Sequence, residues 1–357
     1  ILPASSVTHL LMNAKLGAKT DRWFARVVPV NNRVDGWYHY LATYSIVRMG
    51  QCFGPGFPKP EFVESEETGR IVQWILQQNR LGKNCYIITV ASSAARIART
   101  AKEMGVSLRG TKFNVAGEPF TERKEDVIKQ VDAVSTSRYS YGGGIPVGLG
   151  CAEPAYRDEV HVNQHLLAVI SHPKSICNSA TPPINPLLLT TLHPAAPRLL
   201  LNVQNGDYVT FEDRQCHCEL QKVGLTRHLY NVRSYEKFTS EGMNYFYGDL
   251  FDFIERTLPS EFGGGPGDYQ LIEEEDSGGQ SRLTLVIHPS VGDLDEARVL
   301  VRLRNAFSKG SRDNRFMTGI WESAGTFRIK RAIPHSSNRG KVLPLHIVMV
   351  SDRSGRG

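Results

Sequence analysis

Four short segments of this chain carry residue types that could do chemistry. Residues 115–122 (VAGEPFTE) close an apolar strand-like run and open a helical one, with Gly117 permitting close backbone approach and Glu118 offering a carboxylate. A helix N-terminus at that point favours an anion or phosphate, although an ordinary strand-to-helix turn with a solvated Glu118 reads the same way. Residues 138–151 (RYSYGGGIPVGLGC) are rich in glycine and flanked by tyrosines. Such loops can converge backbone N–H groups on a ligand, but no Gly-Lys-Ser/Thr closes this one and it opens no helix. Residues 205–207 (NGD) read as a turn between two strands. Residues 339–344 (RGKVLP) carry Lys341, which alone would be a solvated charge. Among six cysteines, Cys216 and Cys218 form a Cys-x-Cys, which points to a metal or to nothing.

The elements that must position these residues follow from periodicity. Ile71, Val72, Ile75 and Leu76 recur at helical spacing within residues 68–81, and 85–91 (CYIITVA) read as a buried strand. Residues 92–104 follow as a helix with serines at its N-cap and Gly105 at its end. A strand over 112–116 and a helix over 121–131 complete an alternation that predicts a mainly parallel sheet with helices on its faces. Residues 173–186 form a proline- and serine-rich loop, predicted exposed. Strands are expected over 187–192, 199–203 and 208–211. A second unit is expected from about residue 233, with a helix over 247–257, paired strands over 269–275 and 283–288 across the loop EEEDSGGQ, and an amphipathic helix over 294–307. The expected fold class is therefore α/β, a large N-terminal domain (1–235) joined to a small α+β C-terminal domain (236–357).

Composition excludes several classes. A chain of 357 residues with 41% hydrophobic, 22% charged and 9% aromatic residues is long enough for two or three domains and is neither disordered nor collagen-like. No apolar run approaches the roughly 20 residues that span a bilayer, and the most apolar stretch, 187–201, is broken by His193, two prolines and Arg198. The net charge of +6 is uneven: residues 301–357 hold 12 Lys+Arg against 3 Asp+Glu, a local +9, which leaves −3 for the first 300. A basic tail suits nucleic acid or a phosphate-bearing small molecule, and without interleaved aromatics the second is favoured. Six cysteines in a chain of this size do not read as a disulfide framework. The start lacks a charged region followed by an apolar region, and it lacks Met. The expectation is a cytoplasmic protein whose given chain begins inside a longer one.

Taken together and in order, these segments resemble the adenylate-forming (acyl-AMP) ligase superfamily, in its phenylacetate–coenzyme A ligase-like branch. That branch carries GAEPWTE after a strand, where this chain has AGEPFTE. It carries LTTL before a strand, as residues 189–192 do, then TGD, here NGD, then a Cys-x-Cys, here CHC. The branch's hinge segment, with a glycine and Asn-x-Phe nine residues on, is similar to residues 232–246 (VRSYEKFTSEGMNYF), and a Gly-Lys lies near the end at Gly340–Lys341. Residues 86–106 also resemble that branch's strand and helix, and the resemblance spans about residues 80–350.

The resemblance implies an adenylation domain followed by a mobile C-terminal domain. ATP with Mg2+ would activate a carboxylic acid, aromatic by expectation, to acyl-AMP with release of pyrophosphate, and coenzyme A would accept the acyl group. It implies that Gly117, Glu118 and Pro119 line the adenine pocket, with Tyr139 against the ring. Asp207 would accept bonds from both ribose hydroxyls, Arg233 would support ribose or phosphate, and Glu236 would stand at the hinge. Lys341 would neutralise the carboxylate and α-phosphate. It also implies a structural Zn2+ held by Cys151, His161, Cys216 and Cys218, with His217 or His165 open as replacements for the histidine. The expected partners are the acid and ATP, with no nucleic acid and no membrane, and a homodimer left open.

Two departures stand against this reading. No Ser/Thr-Gly-rich phosphate loop is present, its nearest counterpart being residues 4–8 (ASSVT), which have no glycine. Where the family places a Mg2+-holding glutamate four residues after the tyrosine, this chain has Gly143 counted from Tyr139, or Ile145 counted from Tyr141. A degenerate nucleotide- or acyl-binding protein therefore stays open, and transfer to an amine or a protein acceptor stays open because the sequence does not separate acceptors.

Overall fold

The computed structural model describes residues 9–347, apart from 12, 16, 27–36, 55, 65, 143, 174–184, 195, 197, 235–236, 241–242, 247–249, 310–311 and 337–341. The fold is mixed α/β and divides into two compact units, Ile1–Glu236 and Lys237–Gly357. The expected proline-rich loop lies almost wholly outside the described residues, as do residues 4–8.

The first unit opens with β1 (Trp23–Arg26), helix α1 (Trp37–Phe53) and β2 (Pro60–Val63), with β1 and β2 paired in parallel. Helix α2 (Gly69–Arg80) then leads into β3 (Cys85–Val90), α3 (Ala91–Glu103), β4 (Thr111–Ala116), α4 (Glu122–Lys129) and β5 (Val134–Ser137). β3, β4 and β5 pair in parallel in chain order. The helices bury apolar stripes against them: Val72 and Ile75 from α2, Ala94, Ile97, Ala98 and Ala101 from α3, and Ile128 from α4 close on Phe113 and Val115 of β4. The alanines of α3 let its backbone approach the sheet closely. Truncating Phe113, which is fully buried, to alanine costs about 3–5 kcal/mol by the usual cavity penalty.

From residue 138 onward the architecture changes. β6 (Tyr139–Tyr141), β7 (Ile145–Gly150), β8 (Val160–Val162), β9 (Leu167–Ser171), β10 (Pro186–Thr191), β11 (Val203–Asp213) and β12 (Arg227–Ser234) form a seven-stranded sheet in the order β6-β7-β8-β12-β11-β10-β9. Every pairing in it is antiparallel. The expectation of a mainly parallel sheet is thus corrected: it holds for β3–β5, while the largest sheet is antiparallel. The cause lies in connection length, because parallel neighbours need crossovers of a dozen residues or more, and β6 returns as β7 after a few glycines.

Two of the expected local structures also change. Residues 199–202 are not a strand; Asn202 takes a left-handed backbone conformation (φ 48°), and Leu199 is 92% exposed. The NGD segment is no turn but lies inside β11, where Leu188 faces Gln204 and Pro186 faces Tyr208, so the three intervening residues bulge. Gly206 supplies the positive φ (77°) that this bulge needs.

In the second unit β13 (Lys237–Ser240) pairs with β14 (Met243–Phe246). A helical run from Leu250 to Phe262 widens into a π turn over Phe253–Thr257 just before Pro259, which cannot donate the next helical bond. β15 (Tyr269–Glu275) pairs antiparallel with β16 (Ser281–Ile287), as the sequence predicts. Helices α5 (Glu296–Ser308) and α6 (Arg312–Ser323) precede β17 (Phe327–Arg331) and β18 (Leu345–Ile347), giving the sheet order β17-β16-β15-β18. Its core is aromatic, with Phe307 ringed by Tyr245, Trp321 and Phe327 at centroid distances of 4.5, 5.5 and 5.1 Å. The loop after β15 is tied by Asp276, which accepts from Gly278 and Gln280 N–H and pairs with Arg282 at 2.7 Å. Burial opposes ionisation of Asp276, but these donors hold its carboxyl below the usual range.

Candidate metal centre and nucleotide site

Cys151 follows β7, His161 is the middle residue of β8, and Cys216 and Cys218 lie in the loop that leaves β11. Because β7 and β8 are neighbours, with Leu149 opposite His161, the first thiol and the imidazole meet across one ladder. The loop is shaped by Gln221, whose side-chain oxygen accepts from the backbone N–H of Cys216 (2.5 Å) and His217 (2.8 Å). All four residues are buried, and their ligand atoms lie within 4.8 Å of one another.

The donor set was tested against a tetrahedral zinc. At Zn–N of about 2.0–2.1 Å and Zn–S of about 2.3 Å, tetrahedral ligands stand about 3.6 Å (N to S) apart. His161 Nε2 is 3.1 Å from Cys218 Sγ and 3.5 Å from Cys216 Sγ. Its other nitrogen, Nδ1, donates to the Leu225 carbonyl at 2.6 Å, which leaves Nε2 as the ligand atom. Burial lowers the His161 pKa, keeping the ring neutral as ligation requires. Burial, then the neighbouring thiols, push Cys151 up to about 12, so a metal must displace its proton. Burial also opposes ionisation of Cys218, but donors led by the Gln221 N–H bring its thiol below the usual range. The residues fit the ion. His165 and His217, the open replacements, are both exposed, and His165 Nε2 is 3.3 Å from the Val223 carbonyl.

Three residues around this cluster have no motif in the sequence. His228 on β12 sits opposite His161 in register, with ring centroids 4.1 Å apart and fully buried. Glu159, also buried, accepts from the N–H of Ala155 (2.6 Å) and Tyr156 (3.1 Å), pairs with Arg214 Nη2 (2.5 Å), and lies 3.3 Å from His228 Nδ1. Arg214 reaches on to Cys151 Sγ at 3.9 Å. Cys151, Glu159 and His228 form a second, overlapping group of metal-competent atoms. The available signal was spacing: Glu159, the residue before β8, and His161 within it differ by two.

The nucleotide candidates assemble in part. Tyr139 on β6 donates its hydroxyl to Asp207 Oδ2 at 2.7 Å, and Asn205 Nδ2 reaches both Tyr139 Oη (2.5 Å) and Asp207 Oδ2 (3.0 Å). Burial, then the Asp207 charge, hold the phenol well above its ordinary pKa. On β12, Arg233 stands opposite Tyr208 and donates to Asp158 Oδ2 at 3.3 Å, while the Ser234 hydroxyl donates to the Gly206 carbonyl at 3.1 Å. Gly117 begins the turn after β4. Glu118 beside it is turned inward: its carboxylate accepts from Ser92 N–H at 2.6 Å and lies 3.6 Å from Lys124 Nζ, which also donates to the Pro119 carbonyl at 3.0 Å. Helix α3 starts at Ala91 after an N-cap Val90 without a side-chain cap, so Glu118 supplies the bond expected of the serines. The glycine-rich segment is a hairpin, not a cradle: a Cβ on Gly150 would fall 2.4 Å from Thr136 Oγ1 and 2.5 Å from the Ser137 carbonyl, so this glycine lets β7 pass close to β5. Glu236, Lys341, Gly340 and Gly143 lie outside the described residues. Among the described residues no helix is long and apolar enough to cross a membrane.

No family model matches the chain, and no curated protein matches it. Solved structures similar to it include a malonyl-CoA ligase in a ternary product complex with methylmalonyl-CoA and AMP (13% identity, TM-score 0.47, 93% of this chain). Another is an o-succinylbenzoate CoA synthetase from Bacillus subtilis bound to a product analogue (10%, TM-score 0.46, 96% of this chain). A third is an amide bond synthetase from Marinactinospora thermotolerans (11%, TM-score 0.49, 96% of this chain). The chain spans 67%, 64% and 64% of these three, respectively.

Proposed function

We propose that the chain belongs to an ATP-dependent ligase that activates a carboxylic acid as its acyl-adenylate, releases pyrophosphate, and passes the acyl group to a thiol, coenzyme A being the acceptor of choice. The observation that carries this reading is the meeting of Tyr139 and Asp207, 68 residues apart in sequence and 2.7 Å apart in space. A phenol and a carboxylate side by side suit a nucleoside, the ring offering a flat face to the base and the carboxylate accepting from ribose hydroxyls. Asn205 bonds to both, and Arg233 on the neighbouring strand would support the ribose or phosphate side. Lys341 would stabilise the charge that develops as pyrophosphate leaves, and Mg2+ would enter with ATP as part of the substrate.

Cys151, His161, Cys216 and Cys218 would hold a zinc ion, which supplies a structural cross-link between β7, β8 and the loop after β11. In a chain carrying all four, metal analysis should return about one zinc per protein, and Cys216→Ser should lower that below a tenth.

The deciding experiment is acid-dependent ATP–pyrophosphate exchange on the full natural open reading frame, with aryl and aliphatic acids, with and without Mg2+. Exchange with any acid supports adenylation, and Lys341→Ala should then lower it at least a hundredfold while AMP still binds. A second reading, a nucleotide- or acyl-binding protein without catalysis, is favoured by the missing Ser/Thr-Gly-rich phosphate loop and by Gly143 where the family has its Mg2+-holding glutamate. Absence of exchange with every acid, in a protein that binds AMP, would select it. Within the catalytic reading, an amine or protein acceptor in place of coenzyme A would appear as acyl transfer after exchange is established.

A further inference from the structure

One face of the β3–β4–β5 sheet is covered by helices: Phe113 and Val115 of β4 point into the apolar core. Side chains alternate along a strand, so Tyr86, Asn114 and, just beyond β5, Arg138 face the other way. The Arg138 backbone extends the ladder, its N–H donating to the Val115 carbonyl at 2.9 Å, so the guanidinium springs from the carboxyl end of the strands. That end is where parallel sheets present their ligands.

Arg138 has no carboxylate partner among the described residues. Its Nη1 lies 2.8 Å from His9 Nε2 and 3.2 Å from His9 Nδ1, and its Nε is buried with no hydrogen-bond partner. On the same face the Asn114 amide donates to the Tyr86 hydroxyl at 2.5 Å, and its Oδ1 is likewise buried and unpaired. Ten buried side-chain polar atoms among the described residues lack a partner, and two of them, a donor and an acceptor, share this sheet face, where a polar ligand would satisfy them. Burial is the leading cause that lowers both Arg138 and His9 in pKa, His9 to about 4, as expected of a basic pair that lacks its anion.

We propose that Arg138 and His9 form an oxyanion subsite at the carboxyl end of the parallel sheet, taking a carboxylate or phosphate group. The guanidinium fork donates to two oxygens of such a group in one plane, and His9, whose Nε2 accepts from Nη1, holds the fork in place. Arg138 directly precedes Tyr139, the partner of Asp207, in the chain. Which oxyanion arrives rests on the adenylation reading: the acid's carboxylate must reach the α-phosphate before the two can react. The existence of the subsite rests on the geometry alone.

The test is a titration of the whole chain with inorganic phosphate, pyrophosphate and benzoate at constant ionic strength. It follows the histidine ring protons by NMR, with His9→Asn assigning the His9 signal. A saturable shift of that signal is expected in wild type, with at least tenfold weaker binding in Arg138→Gln and partial retention in Arg138→Lys. Saturation by benzoate alone identifies the acid's carboxylate, and saturation by phosphate or pyrophosphate identifies the nucleotide. Calorimetry with the same anions on Arg138→Lys and His9→Asn reads the affinity independently, should Arg138→Gln not fold. No shift with any of the three anions, or unchanged affinity in the Arg138 variants, overturns the subsite. Asp207→Asn separates the two ideas: it should abolish ATP binding and leave the oxyanion shift intact. If ATP binding survives that change, the nucleoside reading fails while the subsite stands.

Discussion

The carboxylates of Glu118 and Glu159 are both buried in the first unit, and their surroundings differ in kind. Glu118 sits in a closed arrangement: one amide N–H from α3 and one buried lysine from α4 satisfy it, and the lysine is completed by the Pro119 carbonyl. Glu159 sits in an open one, where Arg214 and His228 lead onward to three thiols and a second imidazole. The first uses charge to lock a turn between two helices. The second carries more ligand-competent atoms than packing requires, and that surplus marks the place where chemistry can be added. Burial of a carboxylate alone distinguishes neither; what its partners touch next does.

The largest expected effect tests the closed arrangement. Glu118→Ala leaves the Lys124 ammonium buried without its counter-charge, and breaking a buried pair in this way costs about 3–5 kcal/mol. Urea unfolding should show it as a lower midpoint at unchanged slope. Glu118→Gln, which keeps an acceptor for Ser92, should lose less. An effect under about 1 kcal/mol for Glu118→Ala would mean that the pair is solvated and that the contrast with Glu159 is false.

A smaller effect tests the open arrangement. Glu159→Gln should weaken zinc affinity by about 10- to 100-fold, as loss of a partner outside the ligand shell usually does. Competition with a chromophoric chelator reads this directly, and His228→Gln should follow the same direction. Equal affinity in both variants would reduce Glu159 to a second Glu118.

A third effect concerns pH. His9 is depressed to about 4 in the folded chain against an ordinary 6.5, so the unfolded chain binds its proton first as pH falls. Its contribution to stability is complete above about pH 6.5 and is lost between about 6.5 and 4. His9→Asn should flatten that part of the stability profile, and a profile unchanged by the substitution would show that His9 titrates normally. Phosphate, if it binds at Arg138, should shift the same window.

The sequence was most legible where one period dominates. The run from α2 to α4 has its elements within a residue or two of their expected bounds, because strand and helix periods alternate cleanly and α3 turns a stripe of alanine to the sheet, whereas β5 had no expected counterpart. The Cys216–Cys218 pair stood out by type and spacing, while Cys151 and His161 came only with the resemblance. Strand direction was not legible, because periodicity reports which face is buried and says nothing of which neighbour runs antiparallel. The NGD segment carries turn residues for a bulge rather than a reversal, and the same three residue types serve both. Glu118 had a motif and proved to brace helices; Glu159, His228 and Arg214 had none, because their association depends on β8 and β12 lying side by side, which no local pattern encodes.

The strand order of the large sheet has a consequence for synthesis. β8 pairs with β12, so His161 meets its neighbour His228 only after a further 67 residues have been made. Until then the β6–β7–β8 ribbon leaves the ribosome with one edge unpaired, and such an edge templates association with other chains. Late-forming, non-local pairings of this sort also fold slowly. The nascent protein is therefore exposed to aggregation between the emergence of β8 and that of β12, and the yield of soluble chain should rise when translation is slowed or a holding chaperone is supplied during that interval.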